Sequence, residues 1–206
     1  MEYRGVIAGL GNPGARYAGT RHNCGFDFVD ALLDMAAAEG DVLQLSGHKF
    51  SCELWRVRLP ELHGWWLATR PLTFMNLSGQ CIQPLLAWYK LSADDLLVVH
   101  DELDIPPGDI RFKKGGGNAG HNGLKSITEC LGTADFYRLR LGIGRPQNKS
   151  AVIDWVLGRP DAADAENLQA ARLNAMQILF IFADKGLESA QQAQKCLRKS
   201  KIPQRP

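Results

Sequence analysis

No apolar run in this sequence approaches the ~20 residues that cross a bilayer as a helix, so neither a membrane span nor a membrane partner is expected. Cysteine is sparse: the five residues Cys24, Cys52, Cys81, Cys130 and Cys196 are scattered, odd in number, and form no C-x-x-C pair. That excludes a disulfide framework and argues against a structural zinc site; reduced thiols are the expectation. No leader is expected either, since Met1-Glu2-Tyr3-Arg4 passes straight into a strand-like run. With the reduced thiols, this predicts a cytoplasmic protein. There is no internal repeat and no linker to divide the chain. A single domain over residues 1–194 is expected, followed by a basic, disordered tail over 195–206.

The 206 residues are 45% apolar and 22% charged, a globular composition long enough for a full core. Net charge is only +2, but it is unevenly spread. Residues 1–107 carry 8 basic and 13 acidic side chains, residues 108–150 carry 8 and 3, and residues 151–206 carry 8 and 6. The middle segment is therefore either a patch for a polyanion or a solvated basic face.

Arg4–Leu10 reads as a buried strand, and Asn23 as the N-cap of a helix over 24–39. Ser51–Leu59 and Trp65–Arg70 read as an antiparallel pair. A helix over Ser78–Lys90 precedes the continuous apolar run "LLVVH", which suits a central strand. Ile110–Lys113 is a short strand before the glycine-rich "KKGGGNAGHNG". A helix over 122–131 and the alternating "FYRLRLGIG" follow, then mostly helix from Ser150. Strands alternating with helices predict an α/β fold: a mixed, mostly parallel central sheet flanked by helices on both faces.

Two glycine motifs fail as nucleotide sites. Gly9-x-Gly11-x-x-Gly14 follows a strand, but no helix opens after Gly14, and no acidic residue ends a second strand. Gly115-x-x-x-x-Gly120 is followed by His121-Asn122 rather than Lys and Ser/Thr, so it lacks a phosphate clamp and a magnesium ligand. There is no nucleophile elbow either. Open α/β sheets place ligands beyond the carboxyl ends of their strands. Those ends carry Asn12, Tyr17 and His22; Asn76; His100 and Asp101; and His121 and Asn122. A neutral histidine can take a proton from water near pH 7, and a carboxylate on its other nitrogen fixes the tautomer. Asparagine can hold a carbonyl without adding charge. Each residue also has a structural reading: His22 closing a loop, His100 packed at a strand end, Asp101 capping a turn, Asn12 turning before Pro13, Asn122 capping a helix.

Four motifs in register decide between them. "GLGNPGARYAGTRHNCGF", "PLTFMNLSG", "VVHDELDIPPGDIRFKKGGGNAGHNGLKSI" and "FYRLRLGIGRP" resemble bacterial-type peptidyl-tRNA hydrolase from residue 6 to about 160. The resemblance implies hydrolysis of the ester between peptide and tRNA, releasing tRNA for translation, by a monomer without metal or other cofactor. It puts the catalytic histidine on His22, its supporting aspartate on Asp101, and the residue that tells blocked from free aminoacyl ends on Asn12. Asn76 and Asn122 match substrate- and water-positioning asparagines, and Tyr17 and Phe74 the tRNA-end site. Met75, in the same cleft motif, and His121, beside Asn122, are expected to bind substrate with them. Arg70 stands where the family commonly has lysine, and neither Trp65-Trp66 nor the tail is explained.

The basic stretch fits this substrate. Arg111, Lys113, Lys114, Lys125, Arg138 and Arg140 are expected to meet tRNA phosphates independently of sequence, and loop 115–120 is expected to act as a mobile lid. The alternatives are a non-catalytic RNA-binding relative of splicing-factor type and a dinucleotide-dependent oxidoreductase.

Overall fold

The run Val6–Gly9 has no exposed residue and forms β1, the strand on which the sheet is built. The computed structural model describes residues 2–47 and 49–200. On one side β1 runs parallel to β4 (Trp66–Pro71), with Ile7 opposite Ala68. On the other it runs parallel to β5 (Leu96–Glu102), with Ile7 opposite Leu97. β7 (Tyr137–Gly142) extends the parallel block, pairing Val99 with Leu139. The edges are antiparallel. β3 (Cys52–Arg58) lies on β4 and β2 (Asp41–Gln44) on β3, while β6 (Ile110–Lys114) lies on β7. The order is β2-β3-β4-β1-β5-β7-β6, a single mixed α/β sheet with a parallel centre.

Alternation along the strands feeds two cores. Ile7, Leu97, Val99, Leu139 and Leu141 point to the face covered by α1 (Cys24–Glu39) and α5 (Ala162–Ser200), against Phe28, Val29, Leu32, Ala175 and Leu179. Val6, Ala8, Leu67, Leu96 and Val98 point to the face covered by α2 (Ser78–Tyr89) and α3 (Asn122–Leu131), against Ile82, Leu85, Leu124 and Ile127. Each of the Val, Leu, Ile and Phe side chains among them contributes roughly 1.5–3 kcal/mol by leaving water. A short helix, α4 (Val152–Leu157), buries no residue fully.

The glycines of the opening motif serve packing. A Cβ on Gly9 would lie 2.1 Å from the Gly25 carbonyl oxygen, and one on Gly25 would lie 2.4 Å from Leu10 N and Val99 O. These two residues let α1 start directly against the carboxyl ends of β1 and β5. Gly14, at φ 101, supplies a conformation that side chains rarely adopt.

Two expectations change. Asp41–Gln44 is a strand that the sequence reading left out. The helix also does not stop at 194: α5 breaks at Gly186 (φ 76) and then continues through residues 195–200. The remainder of the expected tail, 201–206, lies outside the described residues.

Candidate active site

The loop leaving β1 and the entrance of α1 are sewn together by two asparagines. Asn23 was expected to cap α1, but its side chain makes no cap hydrogen bond. Instead its Oδ1 accepts from Asn12 N and its Nδ2 donates to Asn12 O, both at 2.9 Å. Asn12 in turn accepts the Met75 N–H on its Oδ1 at 2.8 Å, which ties in the turn after β4. That leaves Nδ2–H2 as the group Asn12 can offer a ligand.

Between these anchors the short turn Arg21–Asn23 carries His22. Its Nδ1 lies 2.8 Å from Oδ1 of Asp101, near the end of β5. Asp101 is only 3% exposed. Burial alone would raise its pKa, but His22 and His121 outweigh burial and hold the carboxyl well below the usual range. Burial likewise opposes charge on His22, and the Asp101 carboxylate wins, raising the imidazole above 6.5. With Nδ1–H directed at Asp101, Nε2 of His22 is the acceptor left over.

His121 approaches the same oxygen, with Nε2 at 3.1 Å. Its Nδ1 accepts the backbone N–H groups of Gly123 and Leu124, so His121, rather than Asn122, caps α3. The cap fixes the ring proton on Nε2, and both nitrogens are engaged. His121 lines the cleft with its two ring nitrogens bonded to Asp101 and to the start of α3. His100, behind this pair, donates from Nδ1 to the Asp101 carbonyl at 2.7 Å and is pushed well below 6.5 by burial. The three ligand atoms of His22, Asp101 and His121 lie within 4.8 Å of one another. That spacing could hold a metal ion, but two N–H donors already fill the space between the rings and the carboxylate.

The cleft beside this cluster encloses about 160 Å³. His22, Asp101, His121 and Asn122 line it together with Val152 and Val156 of α4. Met75 is buried. Phe74 is 55% exposed, with Tyr17 set edge-on to it at 6.4 Å. Asn76 and Asn122 are both exposed.

The basic residues divide. Arg111, Lys113, Arg138 and Arg140 share the sheet face opposite Phe112 and Leu139, with Arg111 opposite Arg140 and Lys113 opposite Arg138. Lys113 is held below its ordinary pKa by partial burial and then by Arg140 and Arg138. Arg140 pairs with Glu102 at 2.8 Å. Lys114 and Lys125 are already paired, with Asp94 at 2.6 Å and Glu129 at 3.9 Å. Arg138 departs from expectation. It is 0% exposed and donates to the carbonyls of Gly117 and Ala134, so it cannot meet a phosphate. It anchors loop 115–120, which is further held by Gly115 N to Phe136 O and Thr128 Oγ1 to Asn118 Oδ1. A mobile lid is not what these bonds describe.

Comparison with known proteins decides the family. The peptidyl-tRNA hydrolase family model matches residues 6–204. The chain belongs to the peptidyl-tRNA hydrolase family. A peptidyl-tRNA hydrolase of Desulfovibrio desulfuricans is 68% identical over 190 residues, covering 92% of this chain and 83% of that protein. One from Neisseria gonorrhoeae is 48% identical, covering 84% and 86%. The crystal structure of peptidyl-tRNA hydrolase from Acinetobacter baumannii superposes with a TM-score of 0.85 at 34% identity, covering 94% of this chain and 96% of that one. Membership in this family carries the hydrolytic reading and the enzyme class, a carboxylic ester hydrolase of translation; nothing in the comparisons favours the RNA-binding alternative. Among the described residues, no helix is long and apolar enough to cross a membrane.

Sequence reasoning missed Asn23 as a clamp, Glu102 as the partner of Arg140, and α4 as a wall of the cleft. The tripeptide Arg21-His22-Asn23 held a signal for the first, since two polar residues flank the histidine. Nothing in "VIDWVL" announces the last.

Proposed function

We propose that the cleft hydrolyses the peptidyl-tRNA ester with His22 as general base and Asp101 as its orienting carboxylate. The observation that carries this is the 2.8 Å contact between His22 Nδ1 and a buried carboxylate at the rim of a cleft. Nε2 takes a proton from water as the water oxygen attacks the ester carbonyl carbon. Asp101 stabilises the imidazolium that forms. Amide N–H groups of Asn12, Asn76 and Asn122 orient the ester and its developing oxyanion. The tetrahedral intermediate collapses, the C–O bond to the ribose breaks, and the imidazolium returns its proton to the ribose oxygen. Free tRNA and a peptide carboxylic acid leave, and the acid gives its proton to solvent at neutral pH.

Tyr17 and Phe74 offer ring faces to the unpaired tRNA end. Lys113, Arg140 and Arg111 would meet backbone phosphates without reading sequence. The same reading has the chain working without a cofactor, as a monomer, in the cytoplasm. The deciding experiment incubates the purified protein with peptidyl-tRNA and measures released tRNA. Multiple turnover supports hydrolysis; tight binding with no turnover supports an RNA-binding relative.

A further inference from the structure

Arg21, directly before His22, lies inside the protein although it carries a full charge. It is 5% exposed. Its guanidinium stacks on the Trp155 ring, 3.8 Å from the centroid. Nη1 donates to the Arg159 carbonyl and Nη2 to Asp164 Oδ2, each at 2.9 Å. Its own backbone N–H donates to Gly158 O at 3.0 Å. Every one of these partners lies in α4, in the first turn of α5, or in the segment between them. Trp155 itself is pinned from the other side, since its indole N–H donates to the carbonyls of Ile143 and Gly144 just past β7. Val152 and Val156, the apolar wall of the cleft, stand on the same short helix as Trp155.

We propose that Arg21 is a positioning residue that ties the turn holding His22 to α4, so that the base and the apolar side chains of α4 that line the same cleft keep or lose their places together. Asp101 holds one atom of the His22 ring, and a single hydrogen bond leaves the ring free to swing about it. The backbone of the turn is fixed on the other side by Arg21, through a stacked plane, an ion pair and two hydrogen bonds. Of these, the planar stack and the forked donation are geometries that lysine does not reproduce. A displacement of about 1 Å at a catalytic group can cost on the order of 10²-fold in rate, so a loosened turn is expected to show in kcat. This inference rests on His22 being the general base.

Arg21→Lys keeps the charge, and Trp155→Leu removes the plate while keeping every charge. Asp164→Asn, at a partly exposed position, weakens the pair with the least risk to folding. The titratable or charged groups around His22 are Asp101, His121 and Glu102 on the cleft side, and Arg21 with Asp164 and Cys24 behind. All are retained in Trp155→Leu. Three quantities are read on folded protein: kcat, KM, and the NMR titration midpoint of the His22 ring, assigned by its loss in His22→Ala. Arg21→Lys and Trp155→Leu are expected to lower kcat about 10- to 100-fold with KM within about twofold. The His22 midpoint should move down toward 6.5 as its contact with Asp101 loosens. Wild-type kcat, or an activity loss that only tracks the unfolded fraction with the His22 midpoint unmoved, overturns the proposal. If His22→Ala keeps near-normal turnover, the general-base reading fails instead, and the midpoint alone still decides whether Arg21 holds that turn.

Discussion

His22 and His121 meet on one carboxylate oxygen: Oδ1 of Asp101 lies 2.8 Å from Nδ1 of the first ring and 3.1 Å from Nε2 of the second. The two imidazoles nevertheless have different prospects. The far nitrogen of His121 is bonded to the start of α3, whereas the far nitrogen of His22 lies on the cleft side. One ring is locked as a donor to the acid, and the other keeps a basic atom for chemistry.

Replacing His22 with alanine removes that atom and leaves His121 bonded to Asp101. Initial rates of tRNA release should fall by about 10²–10⁴, while KM changes little. Rates close to those of the parent protein would reject His22 as the base.

The pH dependence follows from the sign of the His22 shift. The base works only when neutral, and Asp101 holds its pKa above 6.5, so kcat should decline as pH falls through a value above 6.5. Asp101→Asn removes the carboxylate and leaves burial acting alone. The acid limb should then move below 6.5, and the plateau should drop by about 10²–10⁴, since an amide can also stabilise the wrong tautomer. A limb that stays in place would show that another group titrates.

Lys113→Ala should weaken tRNA binding at low salt, flatten the salt dependence of binding, and spare kcat at saturation. Titrations at several salt concentrations measure this. Arg140→Ala should do the same but also leave the buried carboxylate of Glu102 without its partner, at a stability cost of up to about 3 kcal/mol. A variant with unchanged low-salt affinity would remove that residue from the interface.

Arg138→Met takes the donors away from Gly117 and Ala134 while filling similar space. Denaturant unfolding should report a loss of about 1–3 kcal/mol for the unsatisfied carbonyls, and hydrogen exchange in residues 115–120 should quicken. An unchanged midpoint and exchange rate would mean that the loop holds itself.

Gly9→Ala puts a methyl group into the Gly25 carbonyl, at a place where the nearest obstacle is backbone. A loss of about 1–3 kcal/mol or more is expected, read from the unfolding midpoint. A neutral outcome would show that α1 can slide away from the sheet.

The strands and helices that bury much of their surface were readable because period and apolar content agreed: "LLVVH" could be little other than a central strand. β2 was missed because Asp41–Gln44 is a largely exposed edge with no apolar alternation. The site was readable as a set of residue types at strand ends, but not as a network. Arg138 and Arg140 alternate with Leu139 and Leu141, so a shared face for the two arginines follows from "RLRL". Which of them is covered depends on where loop 115–120 folds back, and no local pattern encodes that. Asn23 had the composition of a helix cap; its use as a clamp on Asn12 depends on a partner in a different loop.

The parallel centre of the sheet has a further consequence. Asn12 and His22 follow β1, Met75 follows β4, Asp101 lies near the end of β5 and His121 precedes α3, and they become neighbours only when β4, β1 and β5 lie side by side. A nascent chain that has not yet emerged beyond α3 lacks a ligand for the shared acid, and one cut before β5 has no acid at all. Esterase activity is therefore a property of the completed polypeptide: no proteolytic half should retain it, and its return during refolding should lag behind the appearance of helix.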